Sequence, residues 1–386
     1  MPQISTPFQT IIYQKSTGRI LSSAQNKYIR HRKELVSFAP LIPLPDLAFF
    51  YDAPDLPVDI LTDHIKHITQ GSPPQVFSGI GLSKSFGAFM SRRRNAVSAA
   101  TNILCKFEGG MGDQIMEAEA ALQFAQIFPE KYLALSVRDS YFPLVQNIVG
   151  LKNVLPYSHP PPNANFDLIV DMHTQHISDP RGGTFGKASL YGASLGLPHV
   201  HTKAKLHLSP SMLTPVLHKY PFLGRSAESP AVGLHIRSGS GTAKCWNTEP
   251  AEQLALMLIQ NHSANIFLLG AHKDFSLDGP HVHRVTPDVP WLETATLISL
   301  LTLLVAIDSG PMHLARALGT PHLILWGGTS FKNILGREQL DHDMLLDLPC
   351  KDMICFSCAR KNNACMSGFT AVMVYDQATK YFSSSQ

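Results

Sequence analysis

The sequence predicts an α/β protein with two Rossmann-like domains that face a shared cleft, and three observations support this. Short apolar strands alternate with helices from residue 101 onward, the alternation restarts near residue 231, and a glycine-bearing turn follows the first strand of each half. The chain has 386 residues, enough for about two or three domains. With 44% apolar and 16% charged residues it has material for a packed core, and a disordered chain is excluded.

The first Rossmann-like domain is predicted over residues 99–228. Strands are expected at 103–107, 132–137 and 166–171. The stretch 114–128, rich in Ala, Gln, Glu and Leu, is expected to be a helix. Parallel strands with crossover helices place their loops at one sheet edge, where ligands bind.

The second Rossmann-like domain is predicted over residues 229–340. Its strands are expected at 231–236, 265–270, 304–307 and 322–326. Its helices are expected at 250–261, 292–303 and 312–318. Gly319 and Pro321 close the last of these helices, because neither residue favours its continuation.

The two ends of the chain lack the alternation of strands and helices that is predicted for the middle. Residues 1–98 form a predicted N-terminal appendage, whose short apolar pieces at 10–13 and 47–51 are separated by prolines and suggest strands and loops. The basic runs 27–33 and 92–94 are either a solvated surface or a dock for an anionic partner. Residues 341–386 are expected to hold a cysteine metal clip and a C-terminal helix.

Charge and hydropathy exclude several classes. A net charge of +3 is too small to predict nucleic-acid binding. The longest strongly apolar stretch without a charge, residues 294–307, is too short to span a bilayer as a helix. The N-terminal residues lack the basic and apolar regions of a signal peptide, so a cytoplasmic location is expected.

Asp113 is the candidate base of the first glycine turn. The turn contains Gly110 and Gly112, and a helix follows it. Its spacing is not G-x-G-x-x-G, so a dinucleotide fingerprint is not supported. Asp113 could instead cap the helix, and one residue is expected to do only one of these jobs well, because a base needs a free lone pair.

A second candidate site opens the helix after the strand at 304–307. Pro311 suits a first helical turn, and the amides of Gly310, Met312 and His313 with the Ser309 hydroxyl would form a cup for phosphate or diphosphate. The alternative is an ordinary capped turn. The motif begins at Asp308.

A third candidate is the polar loop that follows the strand at 231–236. Arg237, Ser238 and Lys244 lie in it, with Trp246 close behind, and Lys244 brings a point charge for phosphate. The spacing is not that of a Walker A loop. A solvent loop with an exposed lysine is the alternative.

Four cysteines form the fourth candidate site. Cys350, Cys355, Cys358 and Cys365 lie within 16 residues, which is typical of a structural zinc or iron site with sulfur ligands. A redox pair is the alternative.

Taken in order, the Gly110–Asp113 turn, the loop ending in Lys244 and Trp246, and the Asp-Ser-Gly-Pro-Met-His-Leu-Ala stretch from Asp308 resemble glycosyltransferase family 9, the heptosyltransferases of bacterial surface-glycan assembly. The resemblance covers about residues 101–335. The cysteine cluster resembles the members with a cysteine-bound metal, among them the autotransporter heptosyltransferases, which glycosylate proteins and carry an extra N-terminal region.

The resemblance implies a GT-B fold and an inverting transfer from an ADP-sugar, in particular a heptose, without a divalent ion at the diphosphate. Asp113 would match the catalytic base, while Lys244 and residues 309–313 would hold the diphosphate and Asp308 would support the turn or the sugar. The implied partners are an ADP-sugar donor and a protein or glycan acceptor, as in lipopolysaccharide biosynthesis or protein glycosylation, and a homo-oligomer is compatible with this. The chain departs from the family in having no proline soon after the first turn.

Two other functions compete. A sugar-nucleotide or glycan-binding protein on the same scaffold would bind donor without turnover. An NAD-dependent oxidoreductase is disfavoured by the missing dinucleotide fingerprint.

Overall fold

A computed structural model describes most of the chain from residue 90 onward and short strands before it. The described residues are 9–14, 19–21, 35–42, 47–48, 90–91, 93–107, 109–159, 166–172, 182–223, 229–239, 242–270, 275–329, 331–336, 344–345 and 363–383.

The chain divides into two compact units. The smaller unit comprises Met1–Ala99, Thr174–Arg181 and Ala193–Pro198. Its described strands β1 (Gln9–Gln14), β2 (Arg19–Leu21), β3 (Leu35–Ile42) and β4 (Leu47–Ala48) form an antiparallel sheet in the order β2-β1-β3-β4. The predicted strand at 10–13 lies within β1. That residues 1–98 form an appendage stays a prediction.

The larger unit holds both Rossmann-like halves: Ala100–His173, Gly182–Gly192 and His199–Gln386. In its first half, the parallel sheet has the order β7-β6-β5-β8. The strands are β5 (Asn102–Lys106), β6 (Tyr132–Val137), β7 (Val154–Pro156) and β8 (Leu168–Asp171). The helices are α1 (Met111–Ile127), α2 (Phe142–Val145), α3 (Gly182–Ser194) and α4 (Pro210–Lys219).

The second half has a parallel sheet in the order β11-β10-β9-β12-β13-β14. Its strands are β9 (Ala231–His235), β10 (Asn265–Leu269), β11 (Val282–Val285), β12 (Leu303–Ile307), β13 (His322–Trp326) and β14 (Met344–Leu345). Its helices are α5 (Thr248–His262), α6 (Trp291–Ser299), α7 (Gly310–Leu318), α8 (Phe331–Leu335), α9 (Ala364–Ser367), α10 (Ala371–Ala378) and α11 (Lys380–Ser383). This is the doubly wound order, whose switch point lies between β9 and β12.

Apolar strands buried on both faces explain the parallel sheets. All five residues of β10 and of β12 are buried, as expected where helices cover both sides of a sheet. Trp246 is fully buried in the core of the second half, and its Nε1 donates to the Phe369 carbonyl at 2.9 Å. This bond ties the loop behind Lys244 to the C-terminal part of the chain.

The predicted α/β class is confirmed, and most element bounds agree within three residues. β6 and β13 have the predicted bounds. In the larger unit, the strands β7, β11 and β14 were not predicted from the sequence. None of the helices in the described parts of the chain combines the length and hydropathy that a bilayer crossing requires.

Candidate active site

A cleft of about 630 Å³ lies at the carboxyl ends of the parallel strands. Residues of both halves line it, from the β5–α1 turn in the first half to the β9, β10, β11 and β12 ends in the second. The volume lies in the usual range for a small-molecule site. The predicted residues that line this cleft are Gly110, Gly112, Asp113, Arg237, Ser238, Lys244, Asp308, Ser309, Gly310 and His313.

Asp113 lies in the first turn of α1 and accepts three hydrogen bonds. Its Oδ2 accepts from the Gly110 amide at 2.9 Å, and its Oδ1 accepts from Lys187 Nζ at 2.6 Å and from the Tyr191 hydroxyl at 2.7 Å. Burial raises the pKa of Asp113, but the Lys187 ammonium and these bonds outweigh burial and hold the pKa far below its ordinary value. The carboxylate is therefore ionised at neutral pH.

The glycines of the β5–α1 turn allow this arrangement. Gly109 has a φ of +82°, and a Cβ there would lie 2.5 Å from Asp113 Oδ2. A Cβ on Gly112 would lie 2.6 Å from His313 Cδ2. The first turn of α1 thus packs directly against α7, and this contact brings Asp113 and the Asp308 motif to one cleft.

Asp308 is the centre of a polar network at the start of α7. Its Oδ2 accepts from Lys244 Nζ at 2.9 Å and from Thr329 Oγ1 at 2.6 Å, and His313 Nε2 lies 3.9 Å from its Oδ1. Burial raises the pKa of Asp308, but the Lys244 ammonium, His313 and the hydrogen bonds from Thr329 and Lys244 together outweigh burial, so the pKa is lowered. Asp308 therefore fixes the Lys244 ammonium beside the helix start.

Ser309 joins the two strands at the switch point of the second sheet. Its Oγ lies 3.0 Å from His235 Nδ1 and donates to the Ile307 carbonyl at 3.0 Å. Burial lowers the pKa of His235 to about 4 and that of His313 also to about 4, so both imidazoles are neutral at pH 7. The two histidines therefore add no positive charge to that of Lys244 at the start of α7.

The other residues predicted to bind the sugar-nucleotide donor have different positions and partners. Arg237 Nη2 donates to Thr248 Oγ1 at 2.9 Å, and the Ser238 amide donates to Cys245 Sγ at 3.4 Å. Met312 is buried and lies outside the cleft lining. Its amide and that of His313 donate to the Ser309 carbonyl at 3.1 and 3.4 Å. Contrary to the expectation that these two amides point out of the helix start, they take part in the first helical turn.

The metal clip lies mostly outside the described residues. Cys350, Cys355 and Cys358 are not described. Cys365 is partly buried, and its Sγ lies 3.8 Å from Asn363 Oδ1. Within the described part of the chain no group of His, Cys, Asp or Glu residues is arranged to hold a metal ion.

Sequence reasoning missed four residues that hold this site: Lys187, Tyr191, His235 and Thr329. Lys187 and Tyr191 are four residues apart on α3, a spacing that places both on one helix face. That spacing was the available signal, but the glycines around Lys187 concealed the helix. His235 is the last residue of β9, which was predicted. A polar residue at the carboxyl end of a parallel strand indicates the sheet edge where ligands bind.

Comparisons with known proteins show similarity to heptosyltransferases. Residues 186–362 match the family model described as glycosyltransferase family 9 (heptosyltransferase). Lipooligosaccharide heptosyltransferase 2 of Campylobacter jejuni is 25% identical over 166 residues, which are 40% of this chain and 51% of that protein. The alignment thus spans about half the length of the curated relative.

Two solved structures share the fold. The E. coli ADP-heptose LPS heptosyltransferase II has a TM-score of 0.57 at 16% identity, over 74% of this chain and 99% of that chain. TibC from enterotoxigenic E. coli is described as a dodecameric iron-containing heptosyltransferase, solved in complex with ADP-D-beta-D-heptose. In that complex it has a TM-score of 0.58 at 13% identity, over 98% of this chain and 92% of that chain. The α/β fold of this chain is therefore the GT-B fold of the heptosyltransferase structures.

Proposed function

We propose that this chain, a heptosyltransferase-like protein of the glycosyltransferase family 9 type, transfers a heptose from ADP-heptose to an acceptor hydroxyl with inversion at the anomeric carbon. The single observation that carries the proposal is the shared cleft, which has one ionised carboxylate from the first half and a fixed cation at a helix start in the second half.

The second half of the cleft suits a nucleoside diphosphate. The ends of β10 and β11 and the loop after them supply an apolar surface for a base: Leu269, Val285, Pro287, Val289 and Trp291. The β9 and β12 ends supply Lys244, the Ser309 hydroxyl and the start of α7, which suit phosphate oxygens. ADP in this orientation would leave its sugar facing Asp113.

Asp113 would act as the base. Its carboxylate has about four acceptor positions, three of which are used, so one can receive a proton. The acceptor oxygen would form its bond to the anomeric carbon as its proton passes to Asp113, while the bond from that carbon to the diphosphate breaks and ADP leaves with the electron pair. Lys244 would stabilise the charge that develops on the leaving group, as preorganised groups do.

No divalent ion is needed at the diphosphate in this proposal, because Lys244 and the start of α7 supply the positive potential. We also propose a structural iron or zinc on Cys350, Cys355, Cys358 and Cys365, which supports the fold and takes no part in transfer. Metal analysis of the purified full chain is expected to give one such ion per chain, and finding neither would reject the clip.

The transfer experiment uses the full chain, ADP-heptose and EDTA. Mass spectrometry of cell extracts incubated with and without the protein identifies the acceptor, protein or glycan, as the molecule that gains a heptose. Asp113→Asn is expected to abolish transfer and to leave ADP binding nearly unchanged, because the amide cannot take the proton. A variant with the wild-type kcat would reject the base, and wild-type protein that binds ADP-heptose but transfers nothing would favour a binding protein.

A further inference from the structure

Lys187 gives the cleft a cation on the side of the acceptor base, in addition to Arg237 and Lys244 in the second half. It is on α3, 26% of its side chain is exposed, and it lines the same cleft as Lys244. Its Nζ lies 2.6 Å from Asp113 Oδ1, so the two charges form an ion pair inside the cleft. Neither the family motifs nor the predicted site residues include it.

The local fold fixes Lys187 in this position. Gly186, directly before it, has a φ of +75°, and a Cβ there would lie 2.6 Å from the Gly336 amide nitrogen. Only glycine fits this approach without strain. Tyr191, one helical turn later, is fully buried and bonds the same Asp113 oxygen. The kink at Gly186 and the buried Tyr191 fix the position of α3 relative to the Asp113 carboxylate.

The charge balance of the proposed transfer changes at this pair. Before the reaction, Lys187 and Asp113 together carry no net charge. When the acceptor proton reaches Asp113, the carboxylate becomes neutral and the Lys187 ammonium loses its counter-charge. In the same step the diphosphate gains the electron pair of the broken bond and becomes more negative.

We infer that Lys187 is a positioning residue that couples the two ends of the reaction: proton transfer to Asp113 releases a positive charge into the cleft as the leaving ADP gains negative charge. This inference rests on the proposed function. The coupling needs no movement of Lys187, because the net charge of the Lys187–Asp113 pair changes from zero to positive as soon as Asp113 is neutralised.

The other groups around Asp113 do not supply this charge. Tyr191 from α3 is a neutral phenol, since burial raises its pKa well above the ordinary value. His313 from α7 is neutral at pH 7 because burial lowers its pKa to about 4. Gly110 contributes an amide dipole from the turn itself. Among these neighbours of Asp113, Lys187 is the one with a full charge.

The test measures the pH dependence of transfer for the full chain with ADP-heptose and its acceptor. Lys187→Met is expected to lower kcat by about tenfold to a hundredfold, as loss of preorganised charge does. It is also expected to shift the acid limb of kcat/KM to higher pH, because the cation that favours ionised Asp113 is gone. Lys187→Arg keeps the charge and is expected to restore most of both. Lys380→Met is the matched control, since that lysine bonds Gln377 in the C-terminal helices.

Three outcomes would overturn the inference while transfer by the wild type stands. The first is a Lys187→Met variant with the wild-type kcat and acid limb. The second is a Lys187→Met variant that loses rate while the acid limb stays unmoved, which a structural role explains. The third is a Lys187→Arg variant that is no better than Lys187→Met. Thermal unfolding of each variant separates loss of the fold from loss of charge. A wild type that forms no product rejects the proposed function itself.

Discussion

At the scale of single residues, Asp113 both caps its helix and faces the cleft. The sequence predicts that one residue performs only one of these roles well, but the two carboxylate oxygens divide them. Oδ2 accepts from the Gly110 amide, while Oδ1 takes the Lys187 and Tyr191 donors. The position in the first turn thus orients the carboxylate that the proposed chemistry uses.

The two neutral histidines predict how stability depends on pH. The pKa of His235 and of His313 is lowered to about 4 by burial, whereas an unfolded histidine titrates near 6.5. Their contribution is complete above pH 6.5 and is lost as the pH falls toward 4, because the unfolded chain takes up protons first. Each histidine steepens the loss by about 1.4 kcal/mol per pH unit.

His235→Asn isolates one of these contributions. Urea unfolding between pH 7 and pH 4.5 is expected to show a shallower loss of stability in the variant, by about 1.4 kcal/mol per pH unit. Glu119, whose pKa is raised by burial, acts in the opposite direction in both proteins and cancels in the comparison. Equal slopes would show that His235 is not held neutral by the fold.

Site residues that could be predicted from the sequence lie in local turns, whereas those that could not be predicted depend on tertiary contacts. Asp113, Lys244 and Asp308 follow strands in recognisable turns, so local spacing identifies them. Lys187 reaches Asp113 from 74 positions along the chain. Such a pair depends on tertiary packing, and a single sequence carries no local signal for it.

At the scale of elements, the contact between α1 and α7 decides the geometry of the site. Gly112→Ala is expected to destabilise the fold by about 1–3 kcal/mol, because the added methyl group would press on the His313 ring. Gly110→Ala is the matched control, since the nearest atom to its Cβ would be 3.8 Å away. Free energies of unfolding measured for both variants test this. Equal losses would place the steric constraint elsewhere.

Strands and helices were predictable where the pattern of apolar residues agrees with the proline and glycine residues at the ends of the elements. β13 and α7 have an apolar run, a proline at the helix start and Gly319 at its end. The strands β7 and β11 were missed because they are short and only partly buried, with polar residues and a proline among them. α3 was missed because six of its residues are glycine or serine, so composition favours a loop.

At the scale of the whole molecule, the doubly wound order of the second sheet explains why the candidate residues meet. The switch point lies between β9 and β12, and His235 and Ser309 bond across it. The β5–α1 turn of the first half lines the same cleft. The alternation in the sequence predicted both halves, while the network that fixes Lys244 on Asp308 required the fold.

Calorimetric titration of ADP in EDTA tests the central claim most directly, because it separates the two sides of the cleft without needing the acceptor. Wild-type protein is expected to bind ADP, Lys244→Ala to bind it more weakly by about 1.5–3 kcal/mol, the range for a hydrogen bond to a charged group, and Asp113→Asn to bind it nearly as the wild type does. No binding by the wild type, or unchanged affinity in Lys244→Ala, would contradict a diphosphate site at the start of α7.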